Sequence, residues 1–266
     1  MPAVKTLSVD VSPSGVARVE MARPQVFNAF DETMIGELDD AFVRLAADPQ
    51  VRVVVLAGQG KAFSAGADLA WMQRASAATQ AWNLADARRF AAMLDRIADC
   101  PRPTIARVHG VALGGGVGLV CACDLAVASE DAKFAVSEAK FGILPSVIGP
   151  YLTNAVGKRQ AKRLALTATR IGAVEARELG LVQQVVAIDA LDAAVDALVA
   201  ELLQNGPCAQ AEIKSLFGRF EVGAITAEVR ELTAQTISRV RMGDEAREGF
   251  AAFFAKRPPP WTKESA

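Results

Sequence analysis

The sequence predicts an α/β fold in which buried strands alternate with helices. Three observations favour it. A nearly continuous apolar run at Val51–Ala57 is typical of a strand buried on both faces. Two stretches, Ala62–Met72 (AFSAGADLAWM) and Val111–Gly118 (VALGGGVG), each place a glycine-bearing turn after a short apolar strand. The order strand, loop, helix occurs at least twice, so both turns should lie at equivalent ends of their strands.

Two hydrophobic patterns predict the N-terminal elements. Leu7–Val11 and Val16–Met21 have the composition of strands and flank a turn at 12–15, which predicts a β-hairpin. From Asp31 the period becomes helical, with Asp31 as the acidic N-cap. The apolar face of this helix carries Met34, Leu38, Phe42 and Leu45.

The middle of the chain also predicts helices that alternate with strands. After the first glycine turn we expect a helix that ends before Cys100–Pro101, with Phe90, Met93, Leu94 and Ile97 on its apolar face. The elements expected next are a strand, an apolar helix and a second strand, at Thr104–Val108, Gly115–Cys123 and Asp124–Ala128.

The last third of the sequence predicts helices. An apolar stripe that starts at Leu191 is preceded by Asp189 and closed by Gly206–Pro207. Further helices are expected over 207–217, 224–240 and 244–256, followed by an extended, exposed tail. We therefore divide the chain into a core at 1–205, which carries the glycine turns, and a helical region at 206–266.

Composition excludes several classes of function. The chain has 266 residues, 52% of them hydrophobic and 22% charged, and a net charge of −1. This balance gives no attraction to nucleic acid or to an anionic membrane. The first residues lack the apolar core of a secretory signal, and no apolar stretch is long enough to span a bilayer. We expect a cytoplasmic protein with neither nucleic acid nor membrane as a partner.

Metal chemistry is also disfavoured. The cysteines form no CxxC pair, and His109 is the only histidine, so no metal site is expected. Small buried thiols in a reducing compartment explain the cysteines. His109 follows a predicted strand, and we interpret it as a packed residue rather than a catalytic base.

The two glycine turns suggest the chemistry. A glycine-rich turn that opens a helix presents unpaired N–H groups, and the glycines at 114–116 let a ligand approach the backbone closely. Two such turns aimed at one point would stabilise an oxyanion, which makes enolate chemistry on a carbonyl the first hypothesis. A nucleotide-phosphate loop is disfavoured because GxGxxG is absent. A serine hydrolase is disfavoured because Ser64 lacks the GxSxG elbow.

Glu138 is the candidate acid–base residue. It lies in the apolar stretch FAVSE, shortly after a predicted strand. An apolar pocket disfavours the charged form of a carboxyl group and so brings its pKa toward neutrality. The alternative, an exposed glutamate on a surface loop, has the same spacing and stays open at this point.

A series of sequence blocks resembles a known superfamily. In chain order they are Arg23-Pro24 with Asn28-Ala29, AFSAGADL, HGVALGGG, Cys123-Asp124, FAVSEAKFGILP, GKRQAKRLALT and EARELGLV. Together they resemble the enoyl-CoA hydratase/isomerase (crotonase) superfamily. The resemblance implies a crotonase-like spiral of ββα units that carries the active site, and a C-terminal helical region for trimerisation and for closure over CoA. It further implies an acyl-CoA thioester substrate, homo-trimers or hexamers, and no separate cofactor.

The resemblance also implies roles for single residues. The backbone N–H groups of Ala67 and Gly115 would hold the thioester oxygen, Glu138 would handle water and protons, and Leu113 and Gly114 would lie against the substrate. The residues implied to contact CoA are Val26, Ala65, Asp68, Leu69 and Lys256, the last by reaching the nucleotide phosphates, often from a neighbouring subunit.

Gly118 departs from the pattern of the superfamily. Its hydratases carry a second glutamate at this position, and SVIGPYL stands here where many members have PGAGG. The combination resembles a bacterial subgroup assigned as methylglutaconyl-CoA or carboxygeranoyl-CoA hydratases. We therefore expect the space at Gly118 to face the acyl end of the pocket and to admit a branched or carboxylated chain. An isomerase that uses one glutamate is the alternative, and a non-catalytic acyl-CoA-binding member is a third hypothesis.

Overall fold

Two β-sheets organise the fold. The structure, a computed structural model, describes residues 6–220, 223 and 225–262. The strands of this described part are β1 (Leu7–Val11), β2 (Val16–Met21), β3 (Val53–Gly58), β4 (Thr104–Val108), β5 (Val111–Leu113), β6 (Leu125–Ser129), β7 (Lys133–Ala135), β8 (Ile171–Gly172) and β9 (Gln184–Val186). The larger sheet has the order β1-β2-β3-β4-β6-β9, and the smaller has the order β5-β7-β8.

The larger sheet is parallel apart from the β1–β2 hairpin at one edge. In the smaller sheet β5 and β7 are parallel. The second glycine turn follows β5, and Glu138 follows β7. Because the carboxyl ends of parallel neighbours meet at one edge, this pairing brings Glu138 beside the turn. A hydrogen bond from Gly114 N to Ala135 O, 2.7 Å long, joins the two strand ends.

Helices cover both faces of the larger sheet. The described helices are α1 (Glu32–Ala47), α2 (Leu69–Ala77), α3 (Gln80–Ala98), α4 (Gly115–Ala122), α5 (Gly149–Thr167), α6 (Ala173–Glu178), α7 (Leu191–Leu203), α8 (Pro207–Phe217), α9 (Ala227–Arg241) and α10 (Asp244–Phe254). Val53 and Val55 pack with α7, whereas Val54 and Leu56 belong to the core on the other face, with α1 and α3. The prediction of a strand buried on both faces is confirmed.

The predicted element boundaries hold to within a few residues. The hairpin lies where it was expected, and the Asp31 carboxylate caps α1 by accepting hydrogen bonds from the N–H groups of Thr33 and Met34. The strand expected at 124–128 runs from Leu125 to Ser129. The helices expected from 224 and up to 256 run from Ala227 and up to Phe254. Of the predicted tail, residues 263–266 lie outside the described part.

The short elements were not predicted. β5, β7 and β8 have two or three residues each, and their sheet forms through pairing between distant segments. The stretch 69–98 holds two helices rather than one, separated where Thr79 caps α3 through its hydroxyl. No helix in the described part of the chain is both long and apolar enough to cross a membrane.

The C-terminal helices are fastened to the core through Lys214 of α8. Its ammonium nitrogen lies 2.6 Å from Asp124 Oδ2 and donates to Arg102 O at 3.1 Å. The same carboxylate oxygen accepts from the N–H and the hydroxyl of Thr104, at the start of β4. The Cys123-Asp124 block of the sequence therefore has a structural role, since it joins β4, β6 and α8.

We expect Asp124→Ala to lower the free energy of unfolding by roughly 2–3 kcal/mol, because the Lys214 ammonium would lose its counter-charge while remaining largely buried. Urea denaturation measures the change. Asp40→Ala, which removes an exposed carboxylate from α1, is the matched control and should leave the midpoint almost unchanged. Equal small shifts in both variants would show that Asp124 does not fasten α8.

Candidate active site

The two glycine turns lie side by side. Ser64 N donates to Val111 O and Leu113 N donates to Ser64 O, both at 3.0 Å, which forms a parallel bridge between the turns. Gly66 has a φ of +84°, and a Cβ at this position would overlap the carbonyl oxygen of Leu113. Only glycine allows the first turn to approach the second this closely.

A third segment, around Phe30, orients the first turn. Phe30 N donates to Gly66 O at 2.8 Å, and Asp68 N donates to Phe30 O at 3.0 Å. In this parallel bridge the N–H of the intervening residue, Ala67, faces away from Phe30. Gly115 is the first residue of α4, so its N–H has no acceptor within the helix. Among the described residues, no backbone hydrogen bond uses Ala67 N or Gly115 N as its donor.

Hydrogen bonds of Asn28 join the segments that support the two turns. It is fully buried, with a left-handed φ of 54°, and its amide nitrogen donates to Gln59 O and Ala62 O, both at 2.8 Å. Its amide oxygen accepts from Arg23 N, and its backbone carbonyl accepts from the Ser64 hydroxyl. Sequence analysis noted Asn28 only as part of a matching block. No local pattern indicated these contacts, because those to Gln59, Ala62 and Ser64 join residues more than thirty positions apart.

The Asp68 side chain supports the first turn. Its carboxylate accepts hydrogen bonds from the N–H groups of Ala70 and Trp71, which caps α2, and from Arg23 at 2.9 Å. Although burial alone raises the pKa of the Asp68 carboxyl, these hydrogen bonds outweigh it and lower the pKa below its ordinary value. The carboxylate is therefore occupied within the protein, and the backbone N–H and carbonyl of Asp68 are also used, in hydrogen bonds to Phe30 O and from Met72 N.

A cavity of about 220 Å³ opens beside the turns, and Ala67 and Gly115 line it. Its other walls come from aromatic side chains, from α2 and from the segment 143–148 that precedes α5. Phe30 lies centrally, with its ring centroid 5.2 Å from that of Phe90 and 6.0 Å from that of Trp71. Sequence analysis missed the aromatic lining because apolar residues in a helical pattern fit a core equally well.

Glu138 is the only ionisable side chain among the described residues that line this cavity. It begins a 3₁₀ turn at Glu138–Phe141, and its Oε1 lies against Gly114, where a Cβ would come within 3.2 Å. Oε2 is buried without a hydrogen-bond partner among the described residues. Burial raises the pKa of the carboxyl, and the N–H groups of Glu138 and Ser137 only partly offset this. Glu138 is therefore not an exposed glutamate on a surface loop.

The other predicted binding residues do not line the cavity. Ala65 N and Leu113 N are already used, in hydrogen bonds to Phe27 O and Ser64 O. Leu69 is 78% exposed directly after Asp68. Val26 is half-buried in a 3₁₀ turn, and Lys256 is exposed, beyond the end of α10.

The structure corrects the expectation for Gly118. This residue does not line the cavity, because the side chain of Ile148 occupies the space above it. A Cβ at Gly118 would overlap Ile148 Cγ2 and lie 3.0 Å from Ile148 Cβ. The missing side chain therefore admits Ile148 rather than opening the pocket.

His109 packs away from the cavity, as the sequence suggested. Its Nε2 lies 2.9 Å from Gly60 O, and its Nδ1 lies 3.2 Å from an Arg107 nitrogen. Its carbonyl accepts from Phe63 N, so the residue connects the strand ends that precede the two turns. Within the described residues, no group of three or more histidine, cysteine, aspartate or glutamate side chains could hold a metal ion.

The chain is similar to several known proteins. A family model described as enoyl-CoA hydratase/isomerase matches residues 12–264. A Rhizobium meliloti protein named "Probable enoyl-CoA hydratase" is 37% identical over 91% of this chain and 92% of its own length. A mitochondrial Delta(3,5)-Delta(2,4)-dienoyl-CoA isomerase of Dictyostelium discoideum is 31% identical over 92% of this chain and 86% of its own.

A crystal structure of an enoyl-CoA hydratase from Shewanella pealeana superimposes with a TM-score of 0.94 at 40% sequence identity. It covers 97% of this chain, and 96% of its own chain is covered in return. The fold is therefore shared with this structure over nearly the whole chain.

Burial of Glu138 predicts a pH-dependent stability difference between the protein and its Glu138→Gln variant. Because the pKa is raised on folding, the folded state holds the proton more strongly, and stability is lost as pH rises through the folded pKa. Glutamine keeps the shape and never ionises. We expect Glu138→Gln to have the higher melting temperature at pH 7 and the same melting temperature near pH 4.

Thermal unfolding of both proteins between pH 4 and pH 8 measures this difference. Glu130→Gln, at an exposed carboxylate after β6, is the control and should show no such trend. A Glu138→Gln difference that is constant across the range would mean that ionisation of Glu138 is not opposed by its surroundings.

Proposed function

This chain belongs to the enoyl-CoA hydratase/isomerase family, and on that premise we propose that it adds water across the α,β double bond of an enoyl-CoA thioester. One observation carries the proposal. Glu138, with a raised pKa, lines the same small cavity as Ala67 and Gly115, whose N–H groups have no backbone acceptor among the described residues. A base and an oxyanion hole thus share one apolar space.

In this proposal Ala67 N and Gly115 N donate hydrogen bonds to the thioester oxygen. The charge on that oxygen grows as the enolate forms, so both bonds strengthen in the transition state. Each donor of this kind contributes about 3–4 kcal/mol to transition-state stabilisation. Because both donors belong to the backbone, their positions depend on the packing of the turns rather than on side-chain rotamers.

Glu138 would move the proton in both steps. Its carboxylate takes a proton from water while the water oxygen bonds to Cβ, and the electron pair of the double bond moves toward the thioester oxygen to form the enolate. The protonated Glu138 then returns the proton to Cα as the thioester carbonyl re-forms. The carboxyl ends in its starting state, so one glutamate suffices and no cofactor takes part.

The cavity favours an apolar acyl chain. Of the branched and carboxylated chains suggested by the sequence, a carboxylated chain would meet no cation, since none of the described lining residues is lysine, arginine or histidine. Burying an unpaired carboxylate is costly. Aromatic rings and aliphatic side chains suit a branched hydrocarbon chain instead.

The single glutamate also supports a second candidate. An isomerase needs one base to carry a proton between Cα and Cγ, and a relative of this chain is named as a dienoyl-CoA isomerase. Hydration consumes the conjugated enoyl absorbance of a 2-enoyl-CoA, whereas isomerisation of a 3-enoyl-CoA creates it. A non-catalytic acyl-CoA-binding protein would do neither.

We further propose a cytoplasmic trimer or hexamer in which 206–266 makes subunit contacts. The exposed apolar side chains of this region support it, as does a groove of about 880 Å³ between α8 and α10. Large exposed apolar patches are characteristic of interfaces. The exposed residues include Phe217, Ile237, Met242, Phe250, Phe253 and Phe254. The exposed Lys256 would then reach the CoA phosphates of its own or a neighbouring subunit.

We expect Glu138→Gln to lower kcat for hydration by about 10²–10⁴, with the fold intact, because glutamine cannot accept the proton. The loss of enoyl absorbance with a branched 2-enoyl-CoA measures kcat, and circular dichroism verifies the fold. Glu130→Gln should retain the parent rate. Near-parental kcat in Glu138→Gln would remove Glu138 from the mechanism.

We expect the purified chain to have three or six times the monomer mass of 28.0 kDa in solution. Light scattering at micromolar concentration measures the mass. Phe253→Asp with Phe254→Asp should shift it downward, since charge on an apolar interface opposes association. A parent mass near that of one chain would exclude the proposed assembly.

A further inference from the structure

Ile148 contacts both the cavity and helix α4. It is the residue before α5, is 2% exposed, and lines the cavity together with Glu138 and Gly115. Its side chain also fills the space above Gly118, one turn into α4. The cavity wall at this point therefore consists of the side chain that precedes one helix, packed on a glycine of another.

The space above Gly118 cannot hold both the Ile148 side chain and a side chain at position 118. An added Cβ there would overlap Ile148 Cγ2 and would also lie 3.6 Å from Leu94 Cδ1 of α3. Gly118 thus adjoins the cavity only through Ile148, and any side chain at 118 would push against this wall. The identity of residue 118 and the shape of the wall at 148 are therefore coupled.

We propose that Gly118 and Ile148 form a coupled pair that sets the acyl-chain specificity of the cavity. Gly118 seats Ile148, and Ile148 presents an aliphatic wall that limits the width of the chain and keeps a second ionisable side chain out of the cavity. The ligand class, an acyl-CoA thioester, rests on the proposed function. The pair explains why the cavity remains small and apolar although a bulky residue is missing from α4.

The first test shortens the side chain at position 148. Ile148→Ala should raise the ratio of kcat/KM for a γ-branched 2-enoyl-CoA over crotonyl-CoA by about tenfold, because removing methyl groups from a pocket changes discrimination by that order. Ile148→Val should shift the ratio in the same direction by less, so the outcome does not depend on folding of the alanine variant. Leu152→Ala, equally buried one turn further along α5 but not lining the cavity, is the matched control and should leave the ratio unchanged.

The second test measures the coupling without catalysis. Gly118→Ala should lower the melting temperature of the parent by several degrees, but lower it much less in the Ile148→Ala background, where the overlapping methyl group is gone. Equal decreases in the two backgrounds would show that the residues are independent and would overturn the pair.

Binding separates failure of this inference from failure of the proposed reaction. The affinities of 4-methylpentanoyl-CoA and butyryl-CoA, saturated thioesters that bind without reacting, are measured by calorimetry for the parent, Ile148→Ala and Leu152→Ala. A parent that hydrates no enoyl-CoA, while the affinity ratio still moves only in Ile148→Ala, would overturn the hydratase proposal and retain the pair. An unmoved ratio in Ile148→Ala would overturn the pair whatever the reaction.

Discussion

The close approach of two backbone turns is the constraint on which the site depends. Gly66 lies against the Leu113 carbonyl, and a Cβ at Gly116 would come within 2.7 Å of Ser64 O. This contact places the first turn directly beside the start of α4. Without this contact, Ala67 N and Gly115 N would not be held beside the same cavity. The surrounding hydrogen bonds from Phe30 and Asn28 maintain this contact.

Burial of the Glu138 carboxyl group lowers the stability of the folded state. Glu138 sits in an apolar cavity with one oxygen unpaired among the described residues, and its burial raises its pKa. The same desolvation that opposes folding would make the carboxylate a stronger base in the proposed mechanism. The remainder of the structure supplies the compensation through a core packed on both faces of the larger sheet and through ties such as Lys214 to Asp124.

Periodicity and capping explain why much of the fold could be predicted. Local patterns of apolar residues predict the buried strand at Val51–Ala57 and the helix from Leu191. The N-cap of α1 at Asp31 depends only on residues two and three positions away. The roles of Asn28 and Arg23 depend on contacts between distant segments, so the sequence shows them only as a matching block. The pairing of Gly118 with Ile148 belongs to the same class, since thirty residues separate them. An expectation based on Gly118 alone predicted space where the structure has a side chain.

In the proposed function, chemistry and specificity have separate structural origins. The proposed oxyanion groups are backbone N–H groups positioned by turn-to-turn hydrogen bonds, and none of those bonds involves the segment 143–148. That segment, together with Phe30, α2 and α3, forms the walls of the cavity. Substitutions in the walls can therefore change which acyl chain fits while the oxyanion hole keeps its geometry. Glu138 lies between the two systems, because it follows β7 beside the second turn and also begins the segment that leads to Ile148. A change in the wall near Ile148 can thus alter the surroundings of the base, which limits how far specificity can vary independently of the reaction.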